Sequence, residues 1–210
     1  MSRTKSKPPF LIHRQFLSPL LCEDIVYSLG CTVPDVTVDK VPLMSVRHHE
    51  RSEEIVFERI EPLFELFEKH YNVQYRGTEK MLFEWVPQGA QGKLACDGSE
   101  YIKNKWVRTR DRDLTAIIFL SDYNENASFD TGYEVYGGKL EFPNHGFGFN
   151  PERGTMVVFP STPHFLNTTA PVLVADLYQI RIHMATKTPF LYQPSDFPGN
   201  YLTWFPQFLS

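Results

Sequence analysis

The side chains best suited to chemistry stand at the ends of apolar runs in the C-terminal two-thirds of the sequence. Asp97 sits between Cys96 and Gly98, His164 follows Pro163 just after the run Thr155–Phe159, and Arg181 and His183 lie two apart in the run Val172–His183. A carboxylate and an imidazole at strand ends could hold a divalent metal. An arginine on a strand face could hold a carboxylate ligand through a bidentate fork. Each residue also has a plainer account. Asp-Gly is a common turn signal, a histidine at a strand end is often a satisfied structural group, and Arg181 could pair at the surface with Asp176 or Glu141.

The elements that must position these groups change character along the chain. Ser18-Pro19 reads as a helix start, with Ser18 as N-cap and Pro19 at the first helical position. Leu20, Leu21, Ile25 and Leu29 give that helix an apolar stripe, and Gly30 closes it. Residues 31–47, interrupted by Pro34 and Pro42, read as loop and short strand. Ser52-Glu53-Glu54 opens a second helix, which runs to about Tyr71 and is kinked or broken at Pro62. From residue 81 the pattern becomes short apolar runs separated by Gly, Pro and Asn turns. The expected strands are Met81–Val86, Lys93–Asp97, Leu114–Leu120, Gly138–Phe142, Thr155–Phe159, Phe165–Asn167 and Val172–His183. Helices first and strands after imply a single α+β domain over 1–210, mainly β, with the N-terminal helices buttressing one sheet. Residues 1–9 read as an arm, and 185–210 as a Pro- and aromatic-rich tail strapped over the sheet.

Composition narrows the function classes. The chain has 210 residues and a formal net charge of −4, a weakly acidic balance that argues against nucleic acid as a partner. No run of about 18 apolar residues exists, so no membrane span is expected. Three cysteines and the lack of a secretory signal at the start fit a reducing, cytoplasmic setting.

The most informative stretch is Tyr136-Gly137-Gly138-Lys139-Leu140-Glu141-Phe142, then Pro151-Glu152-Arg153-Gly154, then Val158-Phe159-Pro160-Ser161 and Pro163-His164. This order resembles the iron(II)- and 2-oxoglutarate-dependent dioxygenases that include the prolyl 4-hydroxylases. That family has a Gly-Gly-x-Leu strand, a Pro-x-x-Gly turn and a Phe-Pro-Ser strand leading to a metal-ligating histidine. Arg112-Asp113-Leu114-Thr115 looks like its Arg-x-Leu-Thr strand, and Phe16-Leu17-Ser18 with Cys22 like its opening helix. The likeness covers roughly residues 10–184 and is greatest to small stand-alone versions encoded by tailed phages, which implies a host cytoplasm.

The resemblance implies a double-stranded β-helix, or jelly roll. It implies Fe(II) held by Asp97 and His164, 2-oxoglutarate as cosubstrate with Arg181 on its distal carboxylate, and ascorbate as an auxiliary. The implied activity is hydroxylation of a peptide, protein or small-molecule substrate, coupled to decarboxylation of 2-oxoglutarate to succinate. Two departures stand out. Ala95 occupies the place of the family's first histidine, and Leu177 the place of its usual basic residue. Trp85 and Phe119 replace tyrosines that often assist. Cys96, His183, His145, His48 and His49 are the candidates to complete the iron site. A catalytically degenerate jelly roll, binding a partner through a groove lined by Trp106, Tyr123, Tyr133 and Tyr136, is the alternative. The loop Asp122 to Tyr136 is the expected seat of selectivity.

Overall fold

The computed structural model describes residues 9–30, 45–129 and 133–191. Nearly all of the expected N-terminal arm, most of the loop after Gly30, the centre of the Asp122–Tyr136 loop and the tail beyond Leu191 lie outside them. In chain order the described elements are β1 (Leu11–His13), α1 (Pro19–Gly30), β2 (Ser45–Arg47), α2 (Glu50–Ile60), α3 (Phe64–Tyr71), β3 (Tyr75–Thr78) and β4 (Leu82–Val86). A hairpin of β5 (Ser99–Ile102) and β6 (Lys105–Arg108) follows, then β7 (Leu114–Phe119), β8 (Asp122–Tyr123), β9 (Glu134–Gly137), β10 (Leu140–Phe142) and β11 (Phe147–Phe149). The chain continues through β12 (Met156–Pro160), β13 (Thr168–Thr169), β14 (Val172–Val174) and β15 (Leu177–Thr186).

The main sheet runs β1-β12-β7-β15-β4-β2, with β3 joined to the end of β15. Two smaller sheets, β11-β10-β13 and β14-β9-β8, complete the jelly roll. Register decides which side chains face which layer. Ile118 pairs with Ile180 and Ala116 with Ile182, and this face packs in one apolar cluster with Ile25, Val56, Ile60 and Phe67 of the helices. The opposite face carries Phe159, whose ring meets Phe142 of β10 edge-on at 4.7 Å. The helices therefore cover one side of the main sheet, as the pattern of helices followed by strands predicts, and the small sheets cover the other. Among the described residues no helix is long and apolar enough to cross a membrane.

Local expectations fare unevenly. The Ser18 hydroxyl accepts from the Leu21 N–H at 3.3 Å, as an N-cap should. The second helix starts two residues earlier than Ser52, because the His49 ring caps it by accepting from the Ser52 N–H. Pro62 does break it: a 3-10 turn at Glu61–Leu63 separates α2 from α3. The expected strand Lys93–Asp97 is instead an extended segment with one bridge, Ala95 to Asn167. Phe165–Asn167 is likewise no strand, since Pro163–Phe165 forms a 3-10 turn. The run Val172–His183 is cut into β14 and β15, with Ala175 at φ +61° between them. The β5–β6 hairpin has no counterpart among the expected strands. Its turn residues Lys103 and Asn104 both take positive φ, the conformation of a tight two-residue hairpin turn.

Candidate functional site

The inner face of the main sheet carries a polar patch. In β15, Gln179, Arg181 and His183 alternate with outward Ile180 and Ile182. Gln179 pairs with Glu84 in β4, and His183 with Thr115 in β7, so these side chains share a face. The bridge between Ala95 and Asn167 lays Asp97 and Asn167 over that patch: the Asn167 Nδ2 donates to Asp97 Oδ2 at 3.1 Å. Gly98 holds the approach close. A Cβ there would lie 2.6 Å from the Arg112 carbonyl and 2.8 Å from that of Ser161.

Arg181 is the centre of the network. Its Nε donates to Glu84 Oε1 at 2.8 Å. Its Nη1 donates to Asp97 Oδ1 at 3.2 Å and to Asn167 Oδ1 at 3.3 Å. Side-chain exposure is 11% for Arg181, 11% for Asp97 and 2% for Glu84, so the ion pairs are shielded from water. The second Glu84 oxygen accepts from Gln179 Nε2 at 2.5 Å. Thr115 Oγ1 donates to Asp97 Oδ2 at 3.1 Å. With that proton committed, Thr115 accepts from Ser161 Oγ at 2.7 Å and from His183 Nδ1 at 3.3 Å, which assigns the His183 proton to Nδ1.

The charges follow from these contacts. Burial alone would raise the Asp97 pKa, but the Arg181 charge and the Asn167 and Thr115 bonds outweigh it and hold the carboxyl below its usual range. Burial works against a charged Arg181, and the Glu84 and Asp97 carboxylates more than offset it. Burial lowers His183 to about 4, opposed in part by Asp97 and reinforced by Arg181. His183 is therefore a neutral imidazole near pH 7.

The other expected residues lie elsewhere. His164 sits on the 3-10 turn Pro163–Phe165 and faces a cavity bounded by Arg108, Pro189 and Phe190. Burial lowers its pKa, with no contribution from Asp97. Asp97 lines a different cavity, of about 370 Å³, with Ala95, Tyr101, Trp106 and Arg110. The structure thus brings Asp97 together with Arg181 and His183 rather than with His164. Arg181, expected to hold a cosubstrate, bonds Glu84 through Nε and Asp97 and Asn167 through Nη1, because the strand register sets it beside them. Leu177 is fully buried in an apolar cluster with Val86, Ala90, Val135 and Val172. Cys96 lines the same cavity as Asp97 and donates its thiol to the Ser161 carbonyl at 3.1 Å. His145 donates from Nε2 to the His164 carbonyl at 3.1 Å and stacks on Phe165. His48 Nδ1 lies 3.1 Å from the Met81 carbonyl, and His49 caps α2.

The expected groove divides in the same way. Trp106 packs edge-on to Tyr101, ring centres 5.4 Å apart, on the exposed hairpin over the Asp97 cavity. Tyr123 and Tyr136 form a separate pair on β8 and β9, 6.0 Å apart, and Tyr133 lies under the Arg153 guanidinium.

Non-haem iron of this type takes two imidazoles and one carboxylate on one face. The described residues do not fit that group. Asp97 is the only carboxylate of the expected set, the bridge that carries it pairs Ala95 with Asn167, and an arginine cation already lies against it. Among the described residues no group of three or more His, Cys, Asp or Glu side chains could hold a metal ion. At the positions expected to hold 2-oxoglutarate, Leu177 is buried and apolar and Arg181 bonds Glu84, Asp97 and Asn167.

No protein-family model and no curated protein matches the sequence. Solved structures do match. A viral collagen prolyl hydroxylase from Paramecium Bursaria Chlorella virus-1, in its 2OG complex, is 14% identical with a TM-score of 0.66, covering 86% of this chain and 97% of its own. A Pseudomonas putida prolyl-4-hydroxylase is 12% identical with a TM-score of 0.64, covering 86% and 94%. A Trichoplax adhaerens prolyl hydroxylase, in complex with a hypoxia inducible factor oxygen degradation domain peptide fragment, is 17% identical with a TM-score of 0.57, covering 84% and 83%. At such identities it is the fold that is shared: a mainly β jelly roll of the prolyl 4-hydroxylase-like 2-oxoglutarate oxygenase type.

Proposed function

We propose that this chain is a metal-independent jelly-roll module that binds an extended peptide segment in the groove between the β5–β6 hairpin and the Asp97 edge. The observation that carries the reading is the Arg181–Asp97 contact, which spends the site's carboxylate on an internal cation. What remains at the site's mouth is a binding surface: a cavity of about 370 Å³ with Trp106 and Tyr101 on its rim and Arg110 beside them. Aromatic and arginine side chains around a concavity are the usual anchors of peptide recognition. The Trichoplax neighbour was solved with a peptide fragment bound, which supports a peptide as the ligand class. The test is binding of a library of short peptides to wild type and to Trp106→Ala, in chelator-treated buffer. Retained binding in the wild type that the variant loses supports the reading. Binding that requires Fe(II) and 2-oxoglutarate contradicts it.

One observation favours a second reading, an oxygenase with a rearranged iron site that uses 2-oxoglutarate and hydroxylates its ligand. Neutral His183 lies next to Asp97 through Thr115, so a second side chain of ligand type is in place beside the carboxylate. This reading requires Arg181 to leave Asp97. Fe(II)-dependent formation of succinate is its direct assay.

A further inference from the structure

The inner-face patch holds two carboxylates and one guanidinium. Glu84 and Asp97 both bond the same Arg181, which leaves a formal surplus of negative charge in a largely buried site. Buried charges need close compensation, and a +2 ion would balance the two carboxylates fully where a +1 guanidinium does so only in part.

A second, independent feature points the same way. Gln179 is 1% exposed, its Nε2 is committed to Glu84, and its Oε1 is buried without a hydrogen-bond partner. A buried carbonyl oxygen without a donor is costly and is also a metal ligand of the hard oxygen class. Asn167 adds another amide oxygen, now turned to the Arg181 Nη1 at 3.3 Å.

We propose that Arg181 is the fixed internal cation of this site and closes a latent divalent-cation site built from Glu84, Asp97 and the amide oxygens of Asn167 and Gln179. The set is oxygen-rich, so it suits Mn(II), Mg(II) or Ca(II) better than metals that prefer thiolate or several imidazoles. The proposal builds on the metal-independent reading of the wild type, but it makes its own claim. The guanidinium, rather than poor donor geometry, is what keeps metal out.

Mn(II) is the probe, followed by loss of the paramagnetic resonance signal of the free ion and by the melting temperature. Wild type takes up no Mn(II), and its melting temperature is the same with and without chelator. Arg181→Ser, which removes the cation and opens space, binds Mn(II) and is stabilised by it. Adding Asp97→Asn or Glu84→Gln to that variant abolishes the uptake. Where Arg181→Ser folds only with Mn(II) present, recovery of the folded circular dichroism spectrum is the same positive result. Arg181→Gln, which removes the charge but keeps a polar side chain, repeats the test, and its melting temperature rises with Mn(II). Folded Arg181 variants that ignore Mn(II), or a wild type that binds it, overturn the proposal. Iron binding by the wild type with 2-oxoglutarate would instead overturn the metal-independent reading, so the two failures are told apart.

Discussion

Arg181 and Asp97 are 84 residues apart in the sequence and meet on the inner face of the main sheet, Nη1 lying 3.2 Å from Oδ1. The contact depends on two placements made by different parts of the chain. Strand β15 presents Arg181 inward, between Gln179 and His183. The bridge between Ala95 and Asn167 brings Asp97 over it, fixed by Asn167 and Thr115. In a fold shared with metal-dependent oxygenases, the carboxylate expected to hold metal here holds a guanidinium.

The network makes removal of the arginine costly. Arg181→Ala leaves two buried carboxylates without their cation, and breaking a buried pair from one side costs about 3–5 kcal/mol. Urea unfolding should show a loss of that order. The triple change Arg181→Met, Glu84→Gln and Asp97→Asn, which removes the charges together, should lose less than Arg181→Ala alone.

Acid should destabilise the fold in two stages. Burial holds His145 and His183 down at about 4, against roughly 6.5 in an unfolded chain. Between those values the unfolded chain binds the extra protons, so stability falls as pH drops through that window and is flat above it. Asp97 is depressed in the folded state. Its contribution is present above about 3.9, the unfolded value, and is lost as pH falls through the lower folded value. His145→Phe should shrink the first stage to the part due to His183, and Asp97→Asn should shrink the second. Unfolding free energy measured from pH 8 to pH 3 checks both.

Gly98 tests how the carboxylate is positioned. A Cβ at this position would press on the Arg112 and Ser161 carbonyls, and both are backbone that cannot yield cheaply. Gly98→Ala should push Asp97 off Arg181 and lower the melting temperature. Gly30→Ala, where nothing lies within 4 Å of the new methyl, should be tolerated. Thermal melts of the two variants, run side by side, decide it.

The hairpin should matter for binding and little for stability. Trp106 is 39% exposed and Tyr101 61%, so neither supports the core. Trp106→Ala should stay folded with a melting temperature close to the wild type and lose ligand capture in the groove. A large drop in melting temperature would mean that the indole is structural.

Much of the architecture was legible in the sequence. Period-two alternation put Arg181 and His183 on one face, Ser18 and Pro62 marked helix boundaries, and the Gly-Gly, Pro-x-x-Gly and Phe-Pro-Ser order pointed to the jelly roll. The site was legible only in part. Asp97 was found, but its partners Glu84 and Asn167 were not. Glu84 sits between Phe83 and Trp85, and only the register with Gln179 shows that it faces inward. Asn167 lies three residues past the more conspicuous His164, and after the 3-10 turn at Pro163–Phe165 it is Asn167 that bonds Asp97, while His164 lines a separate cavity. The hairpin was missed because Lys103-Asn104 lacks the glycine that usually marks such a turn.

The central claim is that the wild-type site holds no iron. Anaerobic titration of the protein with Fe(II) and 2-oxoglutarate, watching for the visible charge-transfer band of the chelate, tests it most directly. The account predicts no band in the folded wild type, and none in Asp97→Ala or His164→Ala. A band in the wild type that Asp97→Ala abolishes would contradict it and would restore the oxygenase reading.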